Sequence, residues 1–142
     1  MPTPKRDPKT DPIMFVARSF DINKPGTKVK DITGGVLGGA MKQGILKVGD
    51  EIEIKPGRGV EERNQKVWKP IITKITSLKA GGKDVKDVAP GGTIGVLTSL
   101  DPTIVKSDSL AGNVVGFPGK LPPIFKEFVL DVNLLERVVG VE

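Results

Sequence analysis

Residues 35–54 constrain the fold of this chain most, because they read as two strands joined by a turn. Ile52 and Ile54 alternate with charged residues, which is the period-two pattern of a strand with one face in a core and one in water. Glycines crowd residues 34–39, and in a strand they indicate tight curvature or the close approach of another backbone or a ligand. Both features predict a small β-barrel.

The composition limits the chemistry that the chain can perform. Its 142 residues suffice for one domain, and they include no cysteine, histidine or tyrosine. A thiol nucleophile, a cysteine-type zinc site and an imidazole base are therefore excluded, which leaves carboxylates and lysines. We find no apolar run long enough to span a membrane and no signal peptide, so we expect a cytoplasmic protein without a membrane partner.

The net charge of +5 is compatible with a polyanionic partner. The chain has only five phenylalanines and one tryptophan, so recognition of single strands mainly by base stacking is not expected. If RNA binds, shape, backbone contacts and a few side chains should recognise it.

Punctuation by proline and glycine divides the chain into three parts. Residues 1–12 contain four prolines and several charges, and we expect an extended linker there. Residues 13–120 should form the barrel, with long charged loops at 21–33 and 57–69 and no long helix. In residues 121–142, the alternation from Phe128 to Leu134 predicts a single strand that begins another domain.

No motif of an active site stands out. The pairs Gly82-Lys83 and Gly119-Lys120 lack the upstream glycine and the following Ser or Thr of a phosphate-binding loop. The adjacent Glu61 and Glu62 are typical of solvated charges rather than of an acid and base pair. We therefore predict no catalytic residue and no metal ligand.

Two rare sequences carry a resemblance to a known family. Residues 18–26 read Arg-Ser-Phe-Asp-Ile-Asn-Lys-Pro-Gly, and residues 133–140 read Asn-Leu-Leu-Glu-Arg-Val-Val-Gly. Together with residues 34–56 and 80–95, they resemble domain II of the gamma subunits of archaeal and eukaryotic translation initiation factor 2, which are relatives of elongation factor Tu. The resemblance implies an all-β, closed six-stranded antiparallel barrel.

The resemblance also implies a parent GTPase that brings initiator methionyl-tRNA to the small ribosomal subunit. Its GTP and Mg would bind in a preceding GTPase domain, so we expect no cofactor and no GTP hydrolysis in this chain. Residues 1–12 would be the linker from that domain, and residues 121–142 would begin domain III. The barrel would contact both domains.

The resemblance implies a wall for the terminal adenosine of the tRNA, formed by the apolar side chains of Ile22, Val36 and Leu97. Branched aliphatic side chains can hold a purine without an aromatic ring. Lys79 stands where the elongation factor has a glutamate, and the reversed charge favours a phosphate there. Val36 and Leu97 are also compatible with the barrel core.

The second implied partner is the alpha subunit. Residues 23–33 and 57–69 look longer than the corresponding loops of the elongation factor, and extra loops on a barrel usually serve a specific partner. The predicted contacts are Lys24, Lys28, Lys30, Arg58, Arg63 and Trp68. The basic residues could instead only keep the surface soluble, and Trp68 could be a lid packed on the barrel end.

Two other identities are compatible with a small barrel of this kind. One is domain II of another translational GTPase, such as the selenocysteine-specific elongation factor. The other is a flavin-reductase-like barrel enzyme, which should copurify with a yellow flavin, whereas a docking domain should be colourless.

Overall fold

A computed structural model describes residues 8–134, and nearly all regular structure in this part of the chain is β. Its strands are β1 (Ile13–Phe20), β2 (Val36–Gln43), β3 (Leu46–Lys47), β4 (Glu51–Glu62), β5 (Gln65–Ala80), β6 (Lys83–Val85), β7 (Asp87–Val88), β8 (Thr93–Thr98) and β9 (Val114–Gly116). One helical turn, α1 (Pro102–Val105), and two 3-10 turns, Val29–Asp31 and Lys106–Asp108, complete it. No helix within residues 8–134 has the length and apolarity needed to cross a bilayer.

Six strands close into a barrel in the order β4, β9, β1, β2, β8 and β5, and β5 pairs with β4 again. Every pairing in this ring is antiparallel. Strand β6 pairs antiparallel with the end of β5 outside the ring, and β3 pairs with β7 in a separate two-stranded sheet. The predicted closed six-stranded antiparallel barrel is confirmed.

The core lies mainly inside this ring and consists of aliphatic side chains together with Met14 and Met41. Ile52 and Ile54 are fully buried, as the alternation in β4 predicts, and Leu37, Leu78 and Val96 join them from the other side of the barrel. The opposite face of β4 is less exposed than predicted, because Glu53 is only 8% exposed. The turn after β9 covers this face, and the N–H of Gly119 donates to the Glu53 carboxylate at 3.1 Å.

Residues 35–54 do not form the predicted hairpin. Strand β2 pairs with β1 and β8, whereas β4 pairs with β5 and β9. Both edges of β2 are thus occupied, so β4 cannot pair with it. The chain turns at Gly44, and β4 then enters the ring on the opposite side. Gly44 has a φ of 71°, and a Cβ there would lie 2.4 Å from the Cα of Pro12.

Residues 57–69 form a β-hairpin rather than the predicted loop. Strand β4 continues to Glu62 and β5 begins at Gln65, so the turn consists of Arg63 and Asn64, with φ of 50° and 62°. Two successive positive φ values are typical of the tight turn that matches the twist of paired strands. We call residues 58–69, which extend beyond the barrel ring, the hairpin arm.

The barrel ends at Leu121, which is 7% exposed and packs over Gly116. The strand predicted from Phe128 is not formed in the described residues, because residues 127–134 have no regular structure and Phe128 is 74% exposed. A strand needs a free edge to pair with, and both edges of β9 are taken by β1 and β4. Residues 1–7 and 135–142, with most of the predicted linker and closing motif, lie outside the described residues. The division into domains stays a prediction.

Candidate functional site

Val36 and Leu97 lie opposite each other on β2 and β8, on the outside of the barrel. Their neighbours Leu37 and Val96 are fully buried in the core, so the alternation of the strands turns Val36 and Leu97 outwards. Phe20 is paired with Val36 from β1 and is 41% exposed. The three side chains form a row across neighbouring strands, but Val36 is covered and only 9% exposed, so the accessible part of the row consists of Phe20 and Leu97.

A second row beside it has glycines in the middle and cations at the ends. Gly38 pairs with Gly95, Arg18 pairs with Gly38, and Lys79 pairs with Gly95. A Cβ on Gly38 would come no closer than 3.6 Å to another atom, and one on Gly95 no closer than 3.8 Å, so a methyl group would fit over either. The two rows form a shallow floor on the outside of the barrel, which we call the outer barrel face.

The structure places three of the four residues predicted for tRNA on or next to this face. Val36 and Leu97 belong to the apolar row and Lys79 to the glycine row, where its Nζ lies 3.5 Å from an Asp84 oxygen. Ile22 lies beyond the end of β1 and is 51% exposed. Their role in binding stays a prediction.

Arg18 was not among the predicted residues, although it holds a whole segment against the barrel. Its Nε donates to both carboxylate oxygens of Asp108, at 2.8 and 3.0 Å. The pKa of Asp108 is held below its ordinary value, first by this bond and then by the N–H of Ser19. Nearby, the N–H of Leu110 donates to Ser19 Oγ at 3.0 Å. These bonds tie residues 108–110 to β1.

The loop of residues 21–33 is closed by the side chain of Asn23. Its Oδ1 accepts the N–H of Thr33 at 2.7 Å, and its Nδ2 donates to the carbonyl of the same residue at 2.7 Å. Asp21 Oδ1 accepts the N–H of Asn23, and this bond lowers the pKa of Asp21 most. The loop is thus a fixed structure rather than a flexible connection.

Replacing Asn23 with alanine should loosen this loop while the barrel stays folded. Both bonds to Thr33 would be lost, at a cost of about 1 to 3 kcal/mol to local stability. Amide hydrogen exchange should then accelerate within residues 24–33 and stay unchanged in β2. Asn23→Asp keeps the acceptor for the Thr33 N–H, so its exchange rate should lie between those of the parent chain and Asn23→Ala. Equal exchange rates in all three proteins would contradict the role of Asn23.

The two stretches predicted to dock a partner lie on either side of α1. One hollow, of ≈ 400 Å³, lies between the loop and the segment after β8, and Lys24, Thr103 and Lys106 border it. Another, also of ≈ 400 Å³, lies between the hairpin arm and residues 103–110, and we call it the arm hollow. Thr103 borders both hollows. We call residues 21–33, 101–110 and the hairpin arm together the two-loop surface.

The predicted contacts are distributed unevenly on this surface. Lys24 borders the first hollow, and Arg58 and Trp68 border the arm hollow. Lys28 precedes the exposed 3-10 turn Val29–Asp31 and Lys30 lies within it, while Arg63 is exposed at the tip of the arm. None of the three borders either hollow. Trp68 is 41% exposed on the arm and is therefore not the buried lid that we considered.

The two-loop surface carries eight cations and six acids, so its net charge is +2. Besides Asp108, three of the acids have partners within the chain. Asp21 accepts from Asn23, Asp101 caps α1 through the N–H of Thr103, and Glu62 pairs with Lys69. Within residues 8–134, the five predicted cations have no ion-pair partner: Lys24, Lys28, Lys30, Arg58 and Arg63. An acidic partner would find these charges available.

The described residues also contain no group of three acids placed to hold a metal.

Comparison with known proteins agrees with this geometry. The family model for elongation factor Tu domain 2 matches residues 34–116. The translation initiation factor 2 subunit gamma of Methanocaldococcus jannaschii is 61% identical over 140 residues, which are 99% of this chain and 34% of that protein. The protein of the same name from Thermococcus kodakarensis is 58% identical over 100% of this chain and 35% of its own length. The one from Halobacterium salinarum is 54% identical over 97% of this chain and 33% of its own length. The chain thus spans about a third of the curated relatives that it matches.

Proposed function

Since the chain belongs to the elongation factor Tu domain 2 family, we propose that it is the barrel domain of an archaeal translation initiation factor 2 gamma subunit and works as a non-catalytic binding module. In this role it docks the alpha subunit and helps to seat the acceptor end of initiator methionyl-tRNA. GTP and Mg would bind elsewhere in the parent factor, which would bring the tRNA to the small ribosomal subunit in the cytoplasm.

The observation that carries the docking role is the convergence of two long charged segments on one helical turn. The barrel itself needs neither residues 21–33 nor the hairpin arm to close, because both lie outside the six-stranded ring. Both segments are nevertheless ordered, the loop by Asn23 and the arm by its β-ladder. Ordered additions that meet at one surface and leave cations unpaired are typical of a protein-binding site.

The tRNA role is supported by the outer barrel face. Its apolar row offers the exposed ring of Phe20 and the half-buried side chain of Leu97 to a base, and its glycine row puts no side chain over the backbone of Gly38 and Gly95. Arg18 and Lys79 stand at the two ends, where each already pairs with an acid, Asp108 and Asp84, so a phosphate would have to share or displace these partners. The face is shallow, so we expect the rest of the tRNA site to come from the parent factor.

Titration of purified alpha subunit into this chain tests the docking role directly. Isothermal calorimetry should show a one-to-one complex whose affinity falls as salt increases, because unpaired surface cations contribute to it. A chain that binds neither the alpha subunit nor its C-terminal portion would contradict the proposal. The same titration with tRNA alone should give weak binding.

Leu97→Ala should separate tRNA binding from stability. The side chain lies on the outer surface and is only half-buried, so its loss should cost about 1 kcal/mol of unfolding free energy. The matched core change Leu78→Ala should cost about 2 to 5 kcal/mol, since Leu78 is fully buried. In the intact factor, Leu97→Ala should weaken tRNA binding in a filter assay. A large loss of stability with unchanged tRNA affinity would show that Leu97 is a core residue.

A further inference from the structure

We propose that the arm hollow is the anchor site of the two-loop surface and takes one large apolar side chain from an acidic segment of the alpha subunit. This inference rests on the proposed docking function and adds to it the chemistry of the contact. It identifies Trp68, Ile104 and Leu110 as the apolar walls of the hollow.

The first wall is the hairpin arm, where Gly59 makes room for an indole ring. Gly59 pairs with Trp68, and a Cβ on it would lie 3.5 Å from the ring and 2.9 Å from the Cε of Lys66. Gly59 has no positive φ, so the missing side chain serves space rather than backbone conformation. The Nζ of Lys66 lies 4.8 Å from the centroid of the Trp68 ring. The indole therefore has a cation over its ring and remains 41% exposed.

The opposite wall is fixed to the barrel before any partner arrives. Leu110 is 2% exposed, and its N–H is bound by Ser19 Oγ of β1. Ile104 packs against the core, and the bond between Arg18 and Asp108 holds the intervening chain. A preformed hollow lowers the entropic cost of binding, which is typical of sites that dominate the affinity of an interface.

The charges around the hollow select the partner. Arg58 borders it and has no ion-pair partner among residues 8–134, and Lys66 adds a second cation at the indole. Asp108, the acid nearest to Leu110 in sequence, is engaged by Arg18. An apolar centre with a cationic rim fits an acidic peptide segment that presents a large aliphatic or aromatic side chain.

Trp68 is the only tryptophan of the chain, so the tryptophan fluorescence of the chain comes from the arm hollow alone. The alpha subunit is first made free of tryptophan by replacement with phenylalanine, so that only Trp68 is excited. When this alpha subunit is added, the fluorescence emission of Trp68 should shift to shorter wavelength. Trp68→Ala should weaken alpha-subunit binding about 30-fold or more, as expected for a central aromatic anchor. Trp68→Phe should restore most of the affinity.

The matched control is Ile72→Ala, which removes an apolar side chain that is 58% exposed on the same strand but outside the arm hollow. It should change the affinity by less than about twofold. If Trp68→Ala binds as the parent chain does while charge reversal at Arg58 weakens binding, the anchor is wrong and the docking function stands. If the alpha subunit does not bind at all, both are wrong. Quenching of Trp68 by an acceptor-stem RNA, with no response to the alpha subunit, would assign the hollow to RNA and overturn the inference.

Discussion

Gly39→Ala should destabilise the barrel by about 3 kcal/mol or more and lower Tm by roughly 10 °C. A Cβ at this position would lie 1.9 Å from the carbonyl oxygen of Phe15 and 3.1 Å from the Cε of Met14. The oxygen belongs to the backbone of β1, which is held between β2 and β9 and cannot withdraw without breaking their ladders. Thermal unfolding followed by far-UV circular dichroism measures the loss.

The control for this change is Gly38→Ala, one residue earlier on the same strand. A Cβ on Gly38 would point outwards and come no closer than 3.6 Å to another atom, so we expect a change of less than about 1 kcal/mol. The pair of variants differs only in the side of the sheet that receives the methyl group. Equal melting temperatures for both would contradict the close approach of β1 and β2.

Reversal of two charges on the hairpin arm, Arg58→Glu with Arg63→Glu, should weaken alpha-subunit binding about tenfold or more at low salt. Both cations lack an ion-pair partner within residues 8–134, so their reversal breaks no internal bridge and should leave Tm nearly unchanged. Binding of tRNA by the intact factor should change less than binding of the alpha subunit. Calorimetry with each partner, repeated at increasing salt, measures both effects.

Lys47→Glu with Lys86→Glu provides the matched control for this reversal. These exposed lysines lie at the two-stranded sheet of β3 and β7, outside the two-loop surface, and the double change alters the net charge by the same amount. Binding of the alpha subunit should stay within about twofold of the parent chain. A similar loss in both double variants would show that only overall charge matters, and that the arm makes no specific contact.

The barrel could be predicted from the sequence because its core follows a local rule. Ile52 and Ile54 alternate with charged neighbours, and the structure buries both completely. Pairing partners do not follow from such a rule. The prediction paired the two strands of residues 35–54 with each other because they follow each other in sequence. In the ring β2 and β4 lie apart, because β2 already has β1 and β8 as partners.

The hairpin arm shows which signal was missed. Charged residues throughout 57–69 made the segment look like a loop, yet Val60 and Val67 occupy paired positions, and Asn64 supplies a residue that tolerates a positive φ. The contacts between residues of the candidate site also arise only when the chain folds. The roles of Arg18 and Asp108 arise from a contact between residues 90 positions apart, which no local pattern indicates.

The pairing of β9 with both β1 and β4 sets the order of events during synthesis on a ribosome. Strand β9 occupies residues 114–116 and lies between two strands that are made much earlier. The ring cannot close until this segment has left the exit tunnel, so the nascent chain must expose unsealed strand edges until then. Chaperones that shield such edges should therefore matter more for producing this domain than for keeping it folded.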